Sequence, residues 1–265
     1  MAIPTNDHTF VVLAYKESPY LEACICSLLK QTVKGHIIIC TSWPSVFLEN
    51  ISEKYKIPLM INPVKKDIAR DWSFAYQACQ TKYVTLAHQD DIYEQSYTRQ
   101  CLEALSINDG LIAFTDYFEW DKQGIRGLSL TMAVKRLILL FFFLFKKPLS
   151  SIFLKKKMLS VGSPVCCPSV MYNKGRIGHI SFHSDYAINM DWAMWLRLAI
   201  MKGAFVHVAE RLVLHRIYSD SATSEGLKDR KRQNEDLRIF RQIWPQRFAR
   251  LISTLYSLSY RSNRM

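Results

Sequence analysis

The chain has 265 residues, 49% of them hydrophobic, with nine glycines and nine prolines, which is enough apolar length for a full core and argues against disorder. Its net charge of +12 is uneven: residues 1–121 carry 10 Lys/Arg and 15 Asp/Glu, residues 122–184 carry 11 bases and no acid, residues 185–236 balance at 8 and 8, and residues 237–265 carry 6 bases and no acid. A nucleic-acid binder would interleave aromatics with bases, whereas the phenylalanines here are contiguous, so nucleic acid is not an expected partner.

In chain order, Phe10 to Ala14 reads as a strand. Ser18 then supplies an N-cap and Pro19 a first helical position, ahead of Leu21, Cys24, Ile25 and Leu28 at helical spacing. His36 to Cys40 predicts a second strand, Ile51 to Tyr55 a short helix and Pro58 to Ile61 a short strand. Asp67 caps a helix with Ile68, Trp72, Ala75 and Cys79 on its apolar side, and Tyr83 to Ala87, Leu111 to Thr115 and Val170 to Tyr172 read as further strands. This alternation argues for an α/β fold with a mostly parallel sheet, whose ligands lie beyond the carboxyl ends of the strands. Tyr15 to Glu17, Thr41, Ser42 and His88 to Asp91 then share one rim. The seven cysteines have no CxxC or Cys/His spacing and read as reduced thiols of a cytosolic protein. The first ten residues lack the basic start and apolar run of a secretory signal.

The stretch VTLAHQDDIY runs from an apolar strand straight into Asp90 and Asp91. Successive side chains at a strand end diverge, so one carboxylate is expected to face the crevice while the other caps the following turn. An acid on this rim beside a diphosphate calls for a divalent cation, and Mg²⁺ or Mn²⁺ are the ions held by few carboxylates plus phosphate oxygens. Taken alone, an acid pair after a strand is more often a solvated turn.

Six blocks in order, FVVLAYKESPYLEACICSLLKQT, HIIICTSWPS, DIARDWSFAYQACQTKYVTLAHQDDIY, CCPSVMY, NMDWAMWLRLA and HRIYSDSAT, resemble a family 2 glycosyltransferase of the inverting, GT-A type. They most resemble a bacterial subgroup whose metal motif is written HQDD. The resemblance spans about residues 8–223 and implies a nucleotide-sugar-binding half over 1–121, an acceptor-side half over 122–223 and a helical tail over 224–265. It implies transfer of a sugar from a nucleotide donor, taken as UDP-linked, to a hydroxyl of a surface glycan or lipid-linked acceptor, with Mn²⁺ or Mg²⁺ as cofactor. Carried over by position, Ala14, Tyr15, Glu17, Thr41, Ser42, Asp71, Gln89 and Arg216 fall on the donor side. Asp90 is the metal ligand, with Asp91 as second candidate, and His88 a packed residue or one that supports a ligand. Asp191 is the general base, and Cys167, Pro168, Ser169, Trp192 and Trp195 lie toward the acceptor. Cys166 and Cys167 read as packed thiols, not nucleophiles.

The sequence departs from the family's pattern in three places. Thr41 and Ser42 replace an acid, Met190 replaces the first member of a Glu-Asp pair, and Tyr218 replaces a histidine. Such departures also fit a noncatalytic binding or assembly protein on the same fold. Arg216 has two readings, a phosphate donor or a structural partner of Asp220.

The apolar run Leu137 to Phe145 is nine residues long, against about 20 for a membrane span. With Lys135 and Arg136 before it, Lys146 and Lys147 after it, and Lys155 to Lys157 beyond, segment 135–157 fits an element lying on anionic lipid. Residues Leu237 to Leu255 add a second amphipathic stretch. The expectation is a protein peripheral to the cytoplasmic face of the cell membrane.

Overall fold

The computed structural model describes residues 7–64, 67–127, 129–144, 148–182, 185–218 and 231–258. Its strands are β1 (His8–Leu13), β2 (His36–Thr41), β3 (Leu59–Ile61), β4 (Tyr83–His88), β5 (Ile92–Tyr93), β6 (Gly110–Asp121), β7 (Gly124–Ile125), β8 (Val170–Asn173) and β9 (Ala204–Arg216). They join one sheet in the order β3-β2-β1-β4-β8-β6-β9-β5, with β7 paired to β6. The first four strands run parallel. β8 enters antiparallel between β4 and β6, and β9 runs parallel to β6. Two reversals bring β6 and β9 back to the direction of β4. The carboxyl ends of β1 to β4 and of β9, and the amino end of β8, therefore meet on one side of the sheet.

The strands are apolar on both faces because both faces are covered. Phe10 and Val12 point into a core with helices α1 (Leu21–Leu29), α2 (Val46–Tyr55) and α4 (Tyr97–Ile107). Val11, Val84 and Leu86 point into the opposite core. That second core is shared with α3 (Ile68–Ala78), α5 (Leu130–Phe143), α6 (Ile152–Leu159), α7 (Lys174–Ile177), α8 (Met190–Ala199), α9 (Lys231–Ile243) and α10 (Gln246–Leu258).

Several local expectations change. Helix α1 starts at Leu21 after Tyr20, and Ser18 instead accepts from the Tyr20 amide. Helix α2 begins five residues early, at Val46, because Ser45 caps the Leu48 amide. Asp67 does cap α3, but Ile68 is exposed and the buried face is Ala69, Ser73, Ala75 and Tyr76. β6 runs on to Asp121 because β9 pairs with it along most of its length.

The basic apolar segment forms two helices with inward and outward sides. Met132, Leu139 and Phe143 of α5 are buried, whereas Leu130, Val134, Leu137, Leu140, Phe141 and Leu144 are exposed. Lys135 donates to the Tyr117 hydroxyl and Arg136 to the Tyr117 carbonyl, so this flanking pair faces the protein. Lys155 is fully buried and donates to the carbonyls of Met201 (2.8 Å) and Gly203 (2.7 Å). It is a core lysine, unlike the exposed Lys156 and Lys157. Phe145, Lys146 and Lys147 lie outside the described residues.

Candidate active site

At the carboxyl end of β1, Gln89 joins β1 to β4. Its Oε1 accepts from the Tyr15 amide (3.0 Å) and its Nε2 donates to the Tyr15 carbonyl (2.9 Å), which adds one rung to the sheet beyond the strands. The exposed Tyr15 ring meets the Trp43 ring edge-on at 6.0 Å, and Lys16 turns the chain through a left-handed φ of 57°. Ala14 is buried and its amide donates to Cys40, while Glu17 is exposed. Thr41 is buried and accepts from the Trp43 amide at 2.9 Å. Ser42 donates to one oxygen of Asp71 and Asn62 to the other, both at 2.7 Å. An acid of α3 thus sits at the end of β2. Asn62 and Trp43 were not singled out by sequence, although each follows a strand end and the rim rule reaches both.

The two adjacent aspartates part as the strand-end geometry requires. Asp91 is fully buried and accepts from His215 Nδ1 (2.9 and 3.2 Å) and from the Arg216 amide (3.0 Å). Burial opposes its charge, but His215 and the Arg216 amide overcome it and hold the carboxyl below the usual range. Asp90 is partly exposed. Burial and then the Asp91 charge push its pKa up, against His88, His215 and a hydrogen bond with Tyr218. His88 packs on the Trp72 ring at 5.2 Å, lies 3.9 Å from Asp91, and leaves Nε2 buried without a hydrogen-bond partner.

One ligand atom each from His88, Asp90 and Asp91 lies within 4.8 Å of the others. Two carboxylates this close raise the cost of charging both, and one imidazole nitrogen of His88 lies in the same cluster. A hard divalent cation would relieve the first and can use the second, so this set fits such an ion.

Arg216 reaches the same corner. Its guanidinium sits between the rings of Tyr20 (3.9 Å) and Trp120 (4.1 Å), and its Nε donates to the Asp90 carbonyl at 3.2 Å. Such stacking fixes a planar cation with N–H groups to spare. Its alternative partner Asp220 lies outside the described residues, as does the rest of the block after Tyr218.

Asp191 occupies the first turn of α8, where the helix dipole favours a carboxylate. It accepts from the Trp192 amide at 2.7 Å. Burial raises its pKa, while the Trp192 amide, Arg232, Lys135 and His88 pull the other way. Lys135, expected on lipid, belongs to the Asp191 neighbourhood.

Most of the expected acceptor wall lies behind the surface. Trp192 and Trp195 are buried, the first donating to the Leu159 carbonyl and the second packed on Tyr172. Pro168 and Ser169 are buried too, with Ser169 donating to the Cys166 carbonyl. Only Cys167 is partly open. Burial pushes both thiols well above their ordinary range, as packed cysteines require. The acids Glu235 and Asp236 of α9, which hold the residues before Asp191, were missed, and nothing local in the sequence marks them.

A model of the family described as Glycosyl transferase family 2 matches residues 9–174. Among solved structures, S. aureus TarS 1–349 in complex with UDP-GlcNAc aligns with a TM-score of 0.64 and 12% identity, over 96% of this chain and 72% of that one. The mannosyltransferase PcManGT from Pyrobaculum calidifontis, in complex with GDP-Man and Mn²⁺, aligns with a TM-score of 0.61 and 12% identity, over 96% of this chain and 69% of that one. At such identities the likeness is one of fold. A search of curated protein sequences finds no match.

Proposed function

The chain belongs to glycosyl transferase family 2 and is a glycosyltransferase of GT-A fold, and we propose that it transfers a sugar from a UDP-linked donor to a hydroxyl acceptor with inversion. The observation that carries this reading is the cluster of His88, Asp90 and Asp91 at the strand ends, with Asp191 in the first turn of α8. Asp90, with His88 beside it, would hold Mn²⁺ or Mg²⁺, which when bound offsets the charge of the donor's diphosphate. Tyr15, Trp43 and the Ser42–Asp71–Asn62 group form the side on which the base and ribose rest. The clamped Arg216 offers N–H groups to the departing diphosphate.

Asp191 takes the proton of the acceptor hydroxyl as that oxygen attacks the anomeric carbon. The new C–O bond forms as the bond to the diphosphate breaks, the electron pair leaves with the nucleotide, and the sugar inverts. A carboxyl raised by burial is a stronger base than a solvated one and suits this step.

The acceptor in this reading is a surface-glycan or lipid-linked precursor, and the setting is the cytoplasmic face of a bacterial membrane. No described helix is long and apolar enough to cross a membrane. The supporting features are the exposed apolar stripe of α5, with Leu137 and Phe141 at its centre, and the stripe Phe248, Leu251 and Leu255 on α10. The segments that carry them hold no acid, so anionic lipid meets little repulsion there. A panel of UDP-, GDP-, TDP- and CMP-sugars, scored for Mn²⁺-dependent hydrolysis, tests the reading. Release of UDP from one UDP-sugar supports it; hydrolysis confined to another nucleotide would overturn the donor, and none at all the reaction.

A further inference from the structure

Residues 185–189 lead into the helix that carries Asp191, and α9 holds each of them. Arg238 donates to the Asp185 carbonyl (3.2 Å) and carboxylate (3.3 Å), and Gln242 donates to the Tyr186 hydroxyl (2.8 Å). The Glu235 carboxylate accepts from three consecutive amides, those of Ala187 (2.8 Å), Ile188 (3.0 Å) and Asn189 (2.9 Å). Asn189 in turn donates to Asp236, which is buried, at 2.7 Å.

Asn189 is the N-cap of α8, and its side chain makes no cap to the helix it precedes. The usual capping oxygen is absent, and the direction of the first turn is set from outside by the two acids of α9. Hydrogen bonds from amides to an ionised carboxylate are stronger than neutral ones, and three on one group fix three successive peptide planes. These acids are not what docks α9. Ile239 and Phe240 are fully buried, and the Phe240 ring meets Trp192 at 5.1 Å.

We propose that Glu235, with Asp236 beside it, is a positioning residue: it holds the start of α8 so that the Asp191 carboxylate faces the arriving acceptor hydroxyl. The proposal rests on the reading of Asp191 as the base. A tail helix outside the matched family segment of residues 9–174 thereby completes the active site.

The test uses the full chain as Glu235→Ala, Glu235→Gln, Asp191→Asn and the double variant Glu235→Ala with Asp191→Asn. Two quantities are read: Mn²⁺-dependent hydrolysis of the nucleotide sugar selected by the panel, and hydrogen exchange of the amides of residues 187–193 without ligand. Glu235→Ala is expected to speed exchange at those amides and to lower kcat by about 10²-fold, the scale of a small misplacement, with KM for the donor unchanged. Glu235→Gln keeps a carbonyl acceptor and should recover part of the loss. In the Asp191→Asn background, Glu235→Ala should cost nothing more. Wild-type kcat or unchanged exchange in Glu235→Ala, beside a crippled Asp191→Asn, would overturn the positioning role and leave the base in place. The same fold loss in both backgrounds would also overturn it. Full activity of Asp191→Asn would remove the base itself, and the positioning role with it. If Glu235→Ala does not fold, Glu235→Gln and Asp236→Asn, which keep volume, carry the same comparisons.

Discussion

His215 Nδ1 lies 2.9 Å from Asp91 Oδ1, and this contact between β9 and the end of β4 divides the labour of two adjacent aspartates. Burial disfavours the imidazolium, yet attraction to Asp91 wins and raises the His215 pKa to about 9. Asp91 is thereby the buried half of an ion pair that ties the two halves of the sheet together at the rim. Asp90, one residue earlier, is left to the crevice.

The first consequence concerns stability. Asp91→Ala removes the fully buried acceptor of the half-buried His215 and of the Arg216 amide, and should cost about 3 kcal/mol. Asp90→Ala, which loses a hydrogen bond with Tyr218 and attraction to His88 and His215 but also relieves repulsion from Asp91, should cost less than about 1 kcal/mol. Urea denaturation of the two variants checks this, and equal losses would refute the division. The sequence reading separates the two acids, one toward the crevice and one holding the turn, and the structure gives Asp91 the second place, as the buried partner of His215.

The second concerns Asp191. Asp191→Asn keeps size and hydrogen bonding but cannot take a proton, so donor binding should persist while transfer falls by about 10² to 10⁴-fold. Because burial raises this carboxyl, the acid limb of the wild-type rate should fall at a pH above the ordinary carboxyl range. A limb within that range would mean that another group titrates.

The third separates two phenylalanines on one helix. Phe141 is exposed and Phe143 is buried beside Phe114. Phe141→Glu should leave the thermal melt unchanged and weaken flotation with anionic vesicles, whereas Phe143→Glu buries an unpaired charge and should collapse the melt. Unchanged flotation of the Phe141 variant would take this stripe away from the membrane.

Six strands and α3 could be read because short apolar runs, period-3.6 patterning and the Asp67 cap are local signals, whereas β5 and β7 are two residues long and β9 (Ala204–Arg216) was not singled out. Helix α5 was read as uniformly apolar because nine apolar residues in a row conceal which side faces the core. Lys155 and Lys135 read as surface bases since a lysine's burial depends on carbonyls and rings far along the chain, such as Met201, Gly203 and Tyr117. The same holds for Trp192 and Trp195, whose neighbours sit on α6 and β8, and for Glu235, whose partners lie more than forty residues earlier.

A fourth prediction uses acid. His8 is fully buried, with Nε2 paired to Thr85 at 3.0 Å, and burial, helped by His36, lowers its pKa to about 3. The folded state therefore keeps it neutral while the unfolded chain binds a proton below pH about 6.5. Its contribution is full above that pH and is lost as pH falls toward 3, with a slope of up to about 1.4 kcal/mol per pH unit. Urea titrations between pH 7 and 4 should show this slope in the wild type and a shallower one in His8→Leu. Parallel curves would remove His8 from the acid response.

The central claim is that Asp90 joins the donor to a divalent ion, and calorimetry of the hydrolysed nucleotide sugar with and without Mn²⁺ tests it most directly. The wild type should bind tightly only with Mn²⁺, and Asp90→Ala should bind with the weak, metal-independent affinity of the metal-free wild type while melting normally. Unchanged Mn²⁺-dependent affinity in Asp90→Ala would contradict the account.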